Sequence, residues 1–226
     1  MAPGVWVCVA AALLLGLAAP AAGKSITVKG ITFSDEAGGV ALVEVSGSGS
    51  PSDPFVLVEE ITEAGPAILT IRGLSTAFGN RVSSHHTAGF TLTKVVHNKT
   101  GEIWAFFDLE LREFLGTYSP YEDGLSFGQG SLSGRPFQSD SFRHAAEINE
   151  PFDSVSFTGG LVPPGGTLVV TVVVTDTTPR PVFYLLQNRQ RPFASGPQSR
   201  CQVAENKDIP RRDFRAVMRI GHGSGG

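Results

Sequence analysis

The residues Ile103 to Arg112 carry the most suggestive side-chain chemistry in this chain: Ile-Trp-Ala-Phe-Phe-Asp-Leu-Glu-Leu-Arg. In an extended strand, successive side chains point to opposite faces. Ile103, Ala105, Phe107, Leu109 and Leu111 then form one apolar row, which belongs in a core. Trp104, Phe106, Asp108, Glu110 and Arg112 share the other row. Two aromatics beside two carboxylates are either covered by a loop or form a flat platform with hydrogen-bond acceptors, the arrangement that receives a sugar ring or a peptide.

Tyr118-Ser119-Pro120-Tyr121-Glu122-Asp123-Gly124 adds two tyrosines and two carboxylates in a turn-rich stretch. Tyr118 and Tyr121 extend the candidate ligand surface. Glu122 and Asp123 are hard oxygen donors suited to Ca²⁺, but they lack the alternating acidic spacing of an EF-hand loop, and a solvated turn explains them more simply. His85 and His86 are adjacent, so on an extended chain they face opposite ways and make a poor pair of metal ligands. No G-x-S-x-G elbow precedes a helix, and the glycines fall in hairpin turns rather than at a strand-to-helix phosphate loop. A carboxylate pair for glycoside hydrolysis would need two acids facing across a cleft, which spacing alone does not specify.

The elements that must position these residues are strands. Ser25 to Phe33, Val40 to Val45, Phe55 to Ile61, Ala67 to Ile71, Phe90 to His97, Glu102 to Arg112, Ser154 to Phe157, Thr167 to Asp176 and Val182 to Leu186 are apolar or β-branched runs bounded by Gly, Pro, Asn, Asp and Ser. Residues 167–175 are apolar on both parities, which predicts a central strand covered on both faces. Such a series of short strands predicts an all-β, antiparallel β-sandwich over 24–188, of jelly-roll or immunoglobulin-like type. Residues 116–150 lack periodicity and read as a long loop excursion held down by Phe127, Phe137 and Phe142.

Residues 1–23 contain no charged side chain, have an apolar centre and end in small residues, the pattern of a secretory signal peptide. Of the two cysteines, Cys8 lies in that leader, so the exported chain would keep Cys201 alone and draw its stability from a core. Asn98-Lys99-Thr100 matches a glycosylation sequon, a short motif that also arises by chance.

Charge is divided unevenly. Residues 24–179 hold nine basic and eighteen acidic side chains, whereas residues 180–226 hold nine basic and three acidic. An acidic body therefore carries a basic tail over 189–226, rich in Pro, Ser and Gly and expected to be flexible, with a short helix feasible over 208–220. In an exported protein such a tail would meet an anionic surface, a polysaccharide or an acidic protein, or drive self-association. It lacks the interleaved aromatics of a nucleic-acid binder.

Residues 98–111, Asn-Lys-Thr-Gly-Glu-Ile-Trp-Ala-Phe-Phe-Asp-Leu-Glu-Leu, and residues 157–167, Phe-Thr-Gly-Gly-Leu-Val-Pro-Pro-Gly-Gly-Thr, resemble two signatures of bacterial exported β-sandwich proteins of the PEP-CTERM and related surface-sorted groups. The resemblance covers about a third of the mature chain. It implies a matrix or surface component rather than an enzyme. The basic C-terminal stretch has no hydrophobic helix before it, so sorting by that family's route is not expected here. The sequence thus points to a non-catalytic domain acting in binding or assembly, with a carbohydrate-binding module and a glycosidase-like enzyme as the competing readings.

Overall fold

The structure is a computed structural model that describes residues 23–128, 137–148 and 153–189. Contacts divide the chain into residues 1–191 and 192–226, and every described residue belongs to the first unit. Residues 1–22 of the expected signal peptide, with Cys8, residues 190–226 of the expected basic tail, with Cys201 and its candidate helix, and the side chain of Tyr121 lie outside the described residues. Arg189, expected at the start of the flexible tail, is described and buried.

The strands are Ser25–Val28 (β1), Ile31–Ser34 (β2), Ala41–Ser46 (β3), Phe55–Ile61 (β4), Ala67–Arg72 (β5), Ala88–Asn98 (β6) and Trp104–Arg112 (β7). After a 3₁₀ turn at Tyr121–Asp123 come Leu125–Phe127 (β8), Gln138–Ser139 (β9), His144–Ile148 (β10), Ser154–Val162 (β11), Thr167–Asp176 (β12) and Val182–Asn188 (β13). They form two sheets, β1-β2-β5-β13-β7-β11-β10 and β3-β4-β6-β12-β8, with β9 also paired to β12. The inward rows of both sheets meet in one apolar core. Phe33 from the first sheet contacts Phe55 and Phe90 from the second at centroid distances of 5.5 and 6.4 Å, edge to face, so the aromatic quadrupoles favour the interlayer contact as well as its burial.

The all-β expectation holds among the described residues, with three differences. The run expected as one strand from Ser25 to Phe33 is a hairpin, because Lys29 and Gly30 both take positive φ (51° and 94°) and turn the chain in two residues. The pairing is not wholly antiparallel: Phe55 to Ile61 runs parallel to Leu92 to Asn98, since β5 between them belongs to the other sheet and the chain returns from there in the same direction. The excursion over 116–150 also contributes to both sheets, through β8 and β9 against β12 and through β10 against β11. The β12 strand is central, as its double apolar parity requires. Leu168, Val170, Val172 and Val174 point into the core, and Val173 and Thr175 are buried on the opposite face.

Candidate functional site

The expected alternation is reversed over Ile103 to Ala105. Trp104 is buried at 1% exposure and stacks on Phe107 at 5.8 Å, while Ile103 is 61% exposed and Ala105 faces out. The change of parity coincides with an irregularity in the pairing. β11 pairs Thr158 with Phe106 and Val162 with Trp104, four residues of β11 against two of β7. The regular ladder is broken there, and the inward row of β7 passes from Phe107 to Trp104, three residues apart. Trp104 is therefore a core residue and not part of an open platform.

Trp104 also belongs to a buried polar hub at this end of the molecule. Its Nε1 donates to Thr100 Oγ1 (3.2 Å), and that hydroxyl donates to Asn98 Oδ1 (2.6 Å). Asn98, fully buried, donates from Nδ2 to the carbonyls of Glu102, Val162 and Pro163 at 2.8–3.2 Å, and its Oδ1 also accepts the Thr100 amide. The β6–β7 turn thus grips the β11–β12 turn, bringing Asn98 against Val162 and Pro163. With its amide committed to three carbonyls, Asn98 has no room for a glycan in this fold.

Phe106, Asp108, Glu110 and Arg112 do share the outer face of the first sheet. Asp108 accepts a 2.5 Å hydrogen bond from Ser156 Oγ, and Glu110, nearly buried, receives Arg112 Nε at 2.6 Å. These carboxylates are engaged by their own neighbours rather than directed at solvent. Arg112 also donates to the Leu115 carbonyl (2.8 Å) and lies 4.8 Å from the centre of the Tyr118 ring.

That contact leads to the rim beyond β7, where Phe114 (55% exposed), Leu115 (39%) and Tyr118 (57%) account for three of the six exposed large apolar side chains among the described residues. Phe114 and Leu115 border a groove of about 280 Å³ lined also by Glu113, Arg180 and Tyr184. Arg180 lies 4.9 Å from the Phe114 ring centre and is ion-paired with the nearly buried Glu113. Each exposed ring is therefore backed by a guanidinium, and each guanidinium is anchored to a carboxylate. Cation–π contacts of this kind hold aromatic rings in place.

Behind the groove lies a carboxyl group with altered acidity. Asp176, 2% exposed, is pushed up to about 6 by burial, opposed by the hydrogen bond from the Thr178 amide and reinforced by the charges of Glu113 and Asp123. Burial likewise raises Glu113, against its hydrogen bond from Arg180. A carboxyl poised near neutrality can exchange protons, but Asp176 is enclosed and tied into the turn that ends β12, so no substrate reaches it. Asp123 closes its own turn by accepting the Leu125 amide (2.9 Å), and Glu122 is exposed. Burial lowers His86, with the charge of His85 adding to it. Among the described residues no three His, Cys, Asp or Glu side chains cluster in a way that would hold a metal ion.

Of the expected site residues whose side chains are described, only Tyr118 lies at this rim as an exposed aromatic. Phe114, Leu115 and Arg180 were not marked by motif or periodicity. The available signal was the apolar pair Phe114-Leu115 standing between a charged strand end and Gly116, where a loop would ordinarily be polar. No protein-family model matches the chain, and no curated protein or solved structure matches it either.

Proposed function

We propose that this chain is an exported, non-catalytic β-sandwich, jelly-roll or immunoglobulin-like, that acts in binding or assembly at a cell surface or in an extracellular matrix. The rim of Phe114, Leu115 and Tyr118 is its contact surface. The observation that carries this reading is that the exposed aromatics are concentrated on one segment and held by anchored guanidiniums. Pre-ordered rings lose little freedom on binding, which favours contact with a partner. The leader-like N-terminus and the resemblance of residues 98–111 and 157–167 to surface-sorted proteins support the extracellular setting. The basic stretch supplies an electrostatic arm toward anionic surfaces, polysaccharide or acidic protein. Association through that arm weakens as salt rises and is lost on removing residues 195–226; association that survives both contradicts the arm's role.

A carbohydrate ligand is the second reading, favoured by the exposed ring of Tyr118, held over the Arg112 guanidinium. A glycan array of the wild type and Tyr118→Ala separates the two. Glycan binding that the variant loses by about tenfold or more supports the carbohydrate reading. Absence of binding to every glycan leaves assembly as the function.

A further inference from the structure

The interior contains one group that neither the rim nor the packing of the sheets accounts for. On β4 the inward row is Phe55, Leu57, Glu59 and Ile61, and on β6 it includes Phe90, Leu92, Lys94 and Val96. Lys94 and Glu59 therefore project into a core built mainly of aliphatic and aromatic side chains. Gln187 and Arg189 are also buried, and the charge of Arg189 interacts with Glu59. Both are 0% exposed, and Lys94 Nζ lies 2.9 Å from Glu59 Oε2. Despite that distance the contact is not aligned as a hydrogen bond, and neither Glu59 oxygen nor the Lys94 nitrogen has any other hydrogen-bond partner.

Two charges enclosed without aligned hydrogen bonds are costly, since desolvation of each ion amounts to several kcal/mol. Loss of solvent also pushes the Lys94 ammonium below its ordinary range, opposed by the charge of Glu59, so the uncharged amine is more accessible here than at a surface. An amine is a nucleophile only in that form. The two strands are adjacent and parallel in one sheet, which holds the reacting groups together at high effective concentration.

We propose that Lys94 and Glu59 become joined by an intramolecular amide, tying β4 to β6 inside the core. Proton transfer within the pair converts ammonium and carboxylate into amine and carboxylic acid. The lone pair of Lys94 Nζ adds to Cδ of Glu59, forming the N–C bond. The C–OH bond then breaks, and the hydroxyl leaves with an amine proton as water. No oxidant, reductant or third reactant is consumed. The product replaces two buried charges with one neutral amide, and the expelled water leaves an apolar interior. No cysteine lies among the described residues, so this bond would be their only covalent staple.

The test is mass spectrometry of the full chain, purified, unfolded and digested with trypsin. The amide joins the peptide 30–72 to the peptide 82–99, blocks cleavage after Lys94, and makes the branched product one water lighter than its two components combined. Separate peptides with ordinary cleavage after Lys94 overturn the proposal. A branched product lighter by one ammonia also overturns it, by assigning the acyl group to a carboxamide such as the buried Gln187. This readout needs no substitution, so it does not depend on whether a Lys94 variant folds.

Discussion

Trp104 and Tyr118 show how differently two aromatics of one segment can be used. The first is enclosed against Phe107, so Trp104→Ala removes a large core side chain, leaves a cavity and lowers stability by about 3–5 kcal/mol in urea unfolding. The second is exposed, and Tyr118→Ala changes stability by less than about 1 kcal/mol, within the cation–π contact that it loses. A small effect at Trp104 would return that ring to the surface. Asn98 offers a sharper probe. Asn98→Asp replaces a donor facing three carbonyls with an acceptor and costs roughly 2–4 kcal/mol by the same measurement, whereas a surface turn residue would tolerate the change. None of this hub was legible from residue types alone. The motif marked a turn, but two of the three carbonyls that Asn98 holds come from a turn more than sixty residues away.

Strand identities were largely readable because alternation and turn chemistry are local properties. Thr167 to Asp176 illustrates the strength of the signal, since its double apolar parity announced a central strand and its neighbours on both sides supply the pairing. What escaped was the Lys29-Gly30 turn inside an apolar run and two non-local features, the parallel β4–β6 pair and the irregular β7–β11 pairing beside Trp104. Parity did hold for Glu59 and Lys94, which share rows with Leu57 and Val96, and taken literally it places both charges inside. The end of β12 yields a prediction at this scale. Asp176 is raised from 3.8 to about 6, so it favours the folded chain fully only below pH about 3.8, where both states hold the proton. As pH rises through about 6 the unfolded chain has already ionised and that stability is lost, by roughly 1–3 kcal/mol after allowing for solvent at the rim. Glu113, also raised, adds in the same direction. Melting temperatures between pH 4 and 8 should fall with pH in the wild type and much less in Asp176→Asn; parallel curves for the two proteins would assign the pH dependence to other groups.

Among the described residues, two sheets packed over one core bury their inward rows and carry exposed side chains at the rims and outer faces. The candidate platform read from the sequence divided along that boundary: Trp104 went to the core, Asp108 and Glu110 to bonds with neighbours on the outer face, and Tyr118 to the rim. The rim could not be read from the sequence because it depends on Arg180 returning beside Phe114 from far along the chain. If the rim is the assembly surface, its exposed rings should carry association while contributing little to stability. Sedimentation equilibrium of residues 24–226 at low ionic strength, wild type against Phe114→Ala/Tyr118→Ala, tests this most directly. The account predicts concentration-dependent association in the wild type and a weakening of about tenfold or more in the variant, with unfolding otherwise near normal. A wild type that stays monomeric throughout, or a variant that associates as tightly as the wild type, would contradict it.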